Sequence, residues 1–126
     1  DTGNDRIQIF TTAGEHVRSV GIAGRHPATD TGEPCFRSPY DVACCGGLLF
    51  VTDEGNHRVQ MLDPDGKYLR TIGSKGSSPG EFIRPRCVCG TSHGVLLVSD
   101  QENTRVQVLH PAEVDGKQVF QWSKIK

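Results

Sequence analysis

Five histidines (His16, His26, His57, His93 and His110) and five cysteines (Cys35, Cys44, Cys45, Cys87 and Cys89) are the side chains with the most chemistry to offer in this 126-residue chain. Zinc is the first possibility, because imidazole and thiolate are its usual ligands and structural sites bring them in closely spaced pairs. Here the cysteines fall as C-C and C-x-C, and no second Cys/His pair stands at ligand spacing. A metal is therefore not expected, and the odd count speaks against a disulfide framework. The thiols read as free, buried or half-buried, in a reducing cytoplasmic setting. Nucleophilic and phosphoryl chemistry fare no better. No nucleophile elbow, phosphate loop or zinc-protease helix motif is read from the chain. The run Gly73-Ser74-Lys75-Gly76-Ser77-Ser78-Pro79-Gly80 is glycine-rich, but it lacks Walker spacing and no helix is expected after it. No cofactor is expected.

The elements that would carry these side chains come from a repeat. Asp1-Thr2-Gly3-Asn4-Asp5-Arg6-Ile7-Gln8-Ile9-Phe10 aligns with Asp53-Glu54-Gly55-Asn56-His57-Arg58-Val59-Gln60-Met61-Leu62. Both align with Asp100-Gln101-Glu102-Asn103-Thr104-Arg105-Val106-Gln107-Val108-Leu109. Asp, Asn, Arg, an aliphatic residue and Gln recur in register. Further matches join Phe36-Arg37-Ser38-Pro39 to Phe82-Ile83-Arg84-Pro85, and Leu48–Asp53 to Val95–Asp100. The pieces read as four short strands per repeat: a near Tyr40–Cys44, b near Leu48–Thr52, c near Arg58–Leu62 and d near Tyr68–Ile72. Gly46-Gly47 suits a tight a–b hairpin, and Asp63-Pro64-Asp65-Gly66 suits a c–d turn. Strand b is apolar on both faces, so its sheet must be covered on both sides. Four-stranded antiparallel units repeating every 40–50 residues and stacking on one another describe β-propeller blades. The 15 glycines and 7 prolines, spread at intervals, fit many short strands joined by turns.

Val51–Gln60, the Asp-Pro-Asp-Gly turn and the Gly73–Pro85 run resemble the NHL repeat, and the resemblance covers essentially the whole chain. It implies an all-β, partial six-bladed propeller of about two and a half blades. Residues 1–21 would form a half blade of strands c and d, with complete blades at 39–73 and 85–122. The first copy departs through a longer loop from Gly21 to Pro39. The third departs at Glu102 and through a longer c–d turn with Gly116 in place of Gly66. The resemblance implies a non-catalytic protein-interaction scaffold, such as the target-recognition part of a RING or tripartite-motif ubiquitin ligase. RNA binding is the alternative within the family. Lyases or hydrolases with a channel metal belong to a related six-bladed fold. Their ligands would come from the inner ends of strands a, which here hold Tyr40-Asp41 and Arg86-Cys87. His110 is expected to begin a c–d turn. Other blades, from a parent chain or from other copies, would be needed to close the ring.

Charge narrows the choice of partner. Fourteen basic residues against fifteen acidic give a net of −1, with His neutral, which does not suit a protein built to coat nucleic acid or a membrane. No apolar run approaches the about 20 residues of a transmembrane helix. The d–a and b–c loops share one end of a propeller, the top. Formal counting makes the top slightly acidic, which disfavours RNA. A protein partner is expected at the d–a loops, at Arg25, His26, Asp30, Glu33 and Arg37 in the first and Lys75, Glu81 and Arg84 in the second. Asp1, Asn4 and Arg6, Asp53, Asn56 and Arg58, and Asp100, Asn103 and Arg105 read as structural, with each Arg bonding the Asp five residues earlier. The Asn residues read as local turn formers. The Gln residues are expected between blades or towards solvent.

Overall fold

A computed structural model describes residues 1–114 and 117–123, with side chains described as far as His110. Twelve strands follow in order: β1 (Ile7–Phe10), β2 (His16–Val20), β3 (Ile22–Ala23), β4 (Cys35–Phe36), β5 (Pro39–Cys45), β6 (Leu48–Asp53), β7 (Arg58–Leu62), β8 (Tyr68–Ile72), β9 (Pro85–Gly90), β10 (Leu96–Asp100), β11 (Arg105–Val114) and β12 (Lys117–Ser123). β1 and β2 make a two-stranded antiparallel sheet, while β5-β6-β7-β8 and β9-β10-β11-β12 make two four-stranded meanders. Each meander runs a, b, c, d along the chain, as in a propeller blade.

Local chemistry explains the turns. Cys45 faces Leu48 across the β5–β6 pair, leaving Gly46 and Gly47 as a two-residue hairpin with both φ values positive, 59° and 78°. That conformation matches the twist of the flanking strands and favours glycine at both positions. Between strands b and c of every copy lies a short 3-10 turn, at Thr2–Asn4, Glu54–Asn56 and Gln101–Asn103. Each turn ends on a left-handed residue, Asp5, His57 or Thr104.

Side-chain alternation builds two separate cores. Val51 and Leu62 point from the middle sheet towards β1 and β2 and pack with Val20 and Phe36. Phe50, Val59 and Met61 point the other way and pack with Val88, Leu96, Val98 and Phe82. Burying one such side chain contributes roughly 1.5–3 kcal/mol, so the middle sheet is held from both faces. Among the described residues, the outer face of the last sheet is less covered at Val106. Val106 occupies the position of Val59, yet it is 46% exposed where Val59 is 0%. The chain is thus an open arc of a propeller rather than a closed ring.

Two features differ from the sequence reading. The Gly21–Ser38 loop contains the parallel pair β3–β4, with Ile22 opposite Cys35 and Ala23 opposite Phe36. The shorter loop holds the equivalent parallel bridge, Lys75 to Phe82. Hairpin signals in the sequence do not reveal a parallel contact closed across a loop. His110 does not begin a turn. It lies inside β11, which continues to Val114 and pairs with β12. The turn at Gly116 lies outside the described residues.

Candidate functional site: the loop face

The repeated polar residues form a clamp between each b–c turn and the d–a loop beside it. In the middle copy, Arg58 Nε donates to Asp53 Oδ2 at 2.7 Å. The two Nη groups reach into the preceding loop and donate to the carbonyls of Arg25 (2.8 Å), His26 (3.1 Å) and Cys35 (2.9 Å). Asn56 Nδ2 donates to Asp53 Oδ2 and to Gly24 O, both at 2.9 Å. Gln60 Nε2 donates to Cys35 O at 2.6 Å, and Asp53 Oδ1 accepts the Arg37 N–H at 2.7 Å. The third copy repeats this bond for bond. Arg105 donates to Asp100 and to the carbonyls of Ser77, Ser78 and Glu81, while Asn103 donates to Asp100 and Gly76 O. Asp100 Oδ1 accepts the Ile83 N–H.

The Arg–Asp pair expected within the turn is therefore half of a larger device. A planar guanidinium offers five donors in a fixed fork. Here one edge closes the turn and the other collects carbonyls from a loop 23 to 33 residues earlier. The Asn residues of the later copies are likewise not only local turn formers, since they bond backbone 32 and 27 residues away. Gln60 and Gln107 do not face solvent, at 0% and 1% exposure. The first copy has only the local half. Arg6, Asn4 and Gln8 donate to Asp1, and no loop carbonyl among the described residues accepts from them.

One difference between copies has a simple chemical cause. Gln107 Oε1 accepts the Gly80 N–H at 2.9 Å. The equivalent loop residue in the middle copy is Pro34, which has no N–H to give. Gln60 Oε1 is accordingly the one buried side-chain polar atom without a hydrogen-bond partner among the described residues.

A second ladder joins neighbouring blades. Val88 N donates to Asp41 Oδ2 at 3.0 Å, and Thr52 Oγ1 donates to the Arg86 carbonyl. The left-handed residues pair similarly: Ser38 N donates to Asp5 Oδ1 and Arg84 N donates to His57 Nδ1 at 3.0 Å. Burial holds the His57 imidazole below its usual pKa, and the charges of Lys75, Arg84 and Arg37 add to the effect.

The loop residues expected to meet a partner fall into two groups. Glu33 and Glu81 are internal braces. Glu33 Oε1 accepts the Gly21 N–H and Glu81 Oε1 accepts the Ser78 N–H. Arg25, His26 and Asp30 are exposed in the long loop, with the first two held through their carbonyls. Arg37 and Lys75 are exposed, and Arg84 is half exposed and bonded to Glu54. The structure brings Arg37, Ser38, Glu54, Gly55, His57 and Arg84 together around one polar pocket. His57 and Glu54 were not among the partner-binding residues expected from sequence, because their repeat positions read as turn.

One catalytic-looking spacing occurs on this face among the described residues. Gly76-Ser77-Ser78-Pro79-Gly80 does fit the G-x-S-x-G spacing letter by letter, a match that the motif reading above passed over. The segment lies in the loop between β8 and β9, and the Ser78 carbonyl accepts Arg105. A nucleophile elbow needs a strand-to-helix turn, and no helix follows here. No cluster of three or more His, Cys, Asp or Glu side chains suits a metal among the described residues.

Stacked four-stranded meanders, joined by a repeated top-face clamp, define a segment of a β-propeller. A family model described as a 6-bladed beta-propeller matches residues 30–88. NHL repeat-containing protein 2 from Bos taurus and from Homo sapiens are each 30% identical over 79 residues, covering 60% of this chain and 11% of theirs. RING finger protein nhl-1 from Caenorhabditis elegans is 44% identical over 39 residues, 31% of this chain and 4% of that protein. The chain is thus similar to NHL-repeat proteins and, over residues 30–88, to a six-bladed β-propeller family. It spans only 11% of the length of the first curated relatives it matches.

Proposed function

We propose that this segment is a non-catalytic recognition module that presents its top-face loops to a protein partner. The carrying observation is the clamp: three loop carbonyls and a fourth from Gly24 are fixed by Arg58 and Asn56, so the long loop is held on a rigid support. Fixing a loop in advance lowers the ordering cost of binding. In this reading the segment belongs to the target-recognition part of a larger protein of RING or tripartite-motif ligase type, working in the reducing cytoplasm. The similarity to a RING finger protein supports that setting. Further blades, from the same chain or another copy, would cover the open face at Leu97 and Val106.

The test is partner capture by the intact protein with Gly21–Ser38 replaced by a copy of Gly73–Arg84. The graft keeps the carbonyls that the clamp needs and removes the side chains peculiar to the long loop. Loss of one or more captured proteins is expected. An unchanged set of partners would overturn the role given to this loop.

A further inference from the structure

Formal charge counting makes the top face slightly acidic, but the structure redistributes that charge. Asp53 and Asp100 are fully buried, and each is committed to an Arg, an Asn, a Gln and a loop N–H. Their negative charge is not offered to a partner. Glu54 is buried as well, and it binds two cations, Arg84 Nη2 at 2.7 Å and Arg86 Nε at 3.1 Å. The Arg86 guanidinium also lies over the Tyr40 ring, 5.1 Å from its centroid. Arg37 and Lys75, both exposed, enter no ion pair among the described residues. Four cations therefore gather around the middle b–c turn, against the buried Glu54, the half-exposed Glu102, which stands 4.0 Å from Arg84, and Asp5, whose Oδ1 accepts the Ser38 N–H.

The polar pocket lined by Arg37, Ser38, Glu54, Gly55, His57 and Arg84 opens at the centre of this cluster. His57 adds a directed donor. Its Nδ1 accepts the Arg84 N–H, so the neutral ring must carry its proton on Nε2. The same arrangement resists a second proton, which would have to sit on Nδ1 against the Arg84 N–H.

We propose that this pocket binds a carboxylate side chain of an acidic protein segment, with Arg37 and Arg84 as its charged contacts, Lys75 at the rim and His57 Nε2 as a neutral donor. The proposal rests on the protein-interaction reading above and gives that partner a chemistry. Guanidinium matches carboxylate by paired hydrogen bonds. Among the residues lining the pocket there is no Phe, Tyr or Trp ring on which a nucleobase could stack, and single-stranded RNA relies on such stacking.

The test uses the intact protein and fluorescence anisotropy with two labelled probes, a ten-residue glutamate peptide and a ten-nucleotide uridine RNA. Three proteins are compared: wild type, Arg37→Glu/Lys75→Glu, and Arg18→Gln as a control distant in the fold. Thermal melts show that the variants fold. The glutamate peptide is expected to bind wild type and control alike, with the double variant weaker by roughly tenfold or more. Equal peptide binding by all three proteins, or no peptide binding, would overturn the proposal. So would RNA binding that the double variant abolishes without peptide binding. If the peptide fails while partner capture still depends on the long loop, this site falls and the interaction reading stands. If both fail, both fall.

Discussion

Replacing Arg58 by alanine removes one side chain from four hydrogen bonds, and the repeat supplies its own controls. Arg58 is 7% exposed and its partner Asp53 is 0%. The variant leaves the Asp53 carboxylate buried with the Arg37 N–H, Asn56 and, at 3.5 Å, Gln60 as its remaining donors. It also strips the guanidinium from the carbonyls of Arg25, His26 and Cys35. Breaking a buried pair by removing one partner costs about 3–5 kcal/mol, and the surviving donors place this case near the lower figure. Arg6 makes the same contact with Asp1, but their side chains are 39% and 26% exposed and no loop carbonyl is involved. An exposed pair of that kind is worth about 0–1 kcal/mol. Arg105 is intermediate, with a buried Asp100 but a side chain 29% exposed. The assay is urea denaturation of the intact protein carrying each Arg→Ala change. The expected order of destabilisation is Arg58, then Arg105, then Arg6. Equal shifts at Arg6 and Arg58 would refute the reasoning, because the contact within the turn is the same in both.

Three other expectations follow from differences between copies. Gln107→Met should cost more than Gln60→Met, by about 1 kcal/mol, because Gln107 loses bonds to Glu81 O, Asp100 and Gly80 N while Gln60 loses those to Cys35 O and Asp53 and removes an orphaned acceptor; matched melts of the two variants decide it. Gly55→Ala should destabilise by roughly 1–3 kcal/mol, since a Cβ there would sit 2.6 Å from the Arg37 carbonyl, whereas Gly3→Ala meets nothing within 4 Å and should be close to silent in the same melt. His57 has its pKa lowered in the fold, chiefly by burial and then by Lys75, Arg84 and Arg37. Its unfolded form takes a proton near pH 6.5 while the folded form resists, so its contribution is present above that pH and is lost as pH falls towards the lowered folded value. His57→Asn should therefore flatten the fall in melting temperature between neutral and mildly acidic pH, and an unchanged slope would refute this.

The strands were legible because alternation and turn chemistry are local. Arg58–Leu62 and Tyr68–Ile72 were expected at the bounds observed, and Gly46-Gly47 dictated its hairpin. The class of the motif residues was legible too, since Asp, Asn and Arg at one place in three copies point to scaffold. Their reach was not. A loop carbonyl carries no sequence signature, so nothing in the letters says that Arg58 would collect Arg25, His26 and Cys35. Formal counting of the top face likewise treats Asp53 and Lys75 alike, whereas burial silences the first and leaves the second exposed. Extending the Phe36–Phe82 match back by two residues sets Pro34 against Gly80, a mismatch that acquires meaning only once Gln107 is seen accepting the Gly80 N–H.

The central claim is that the repeated Asp–Asn–Arg–Gln set fastens the inter-blade loops and does more than close a turn. Amide hydrogen exchange on the intact protein, wild type against Arg58→Ala, tests it most directly. The account predicts faster exchange across residues 24–37, where the freed carbonyls lie, with residues 76–83 of the other loop unchanged. Faster exchange confined to residues 53–58, or no change at all, would contradict it.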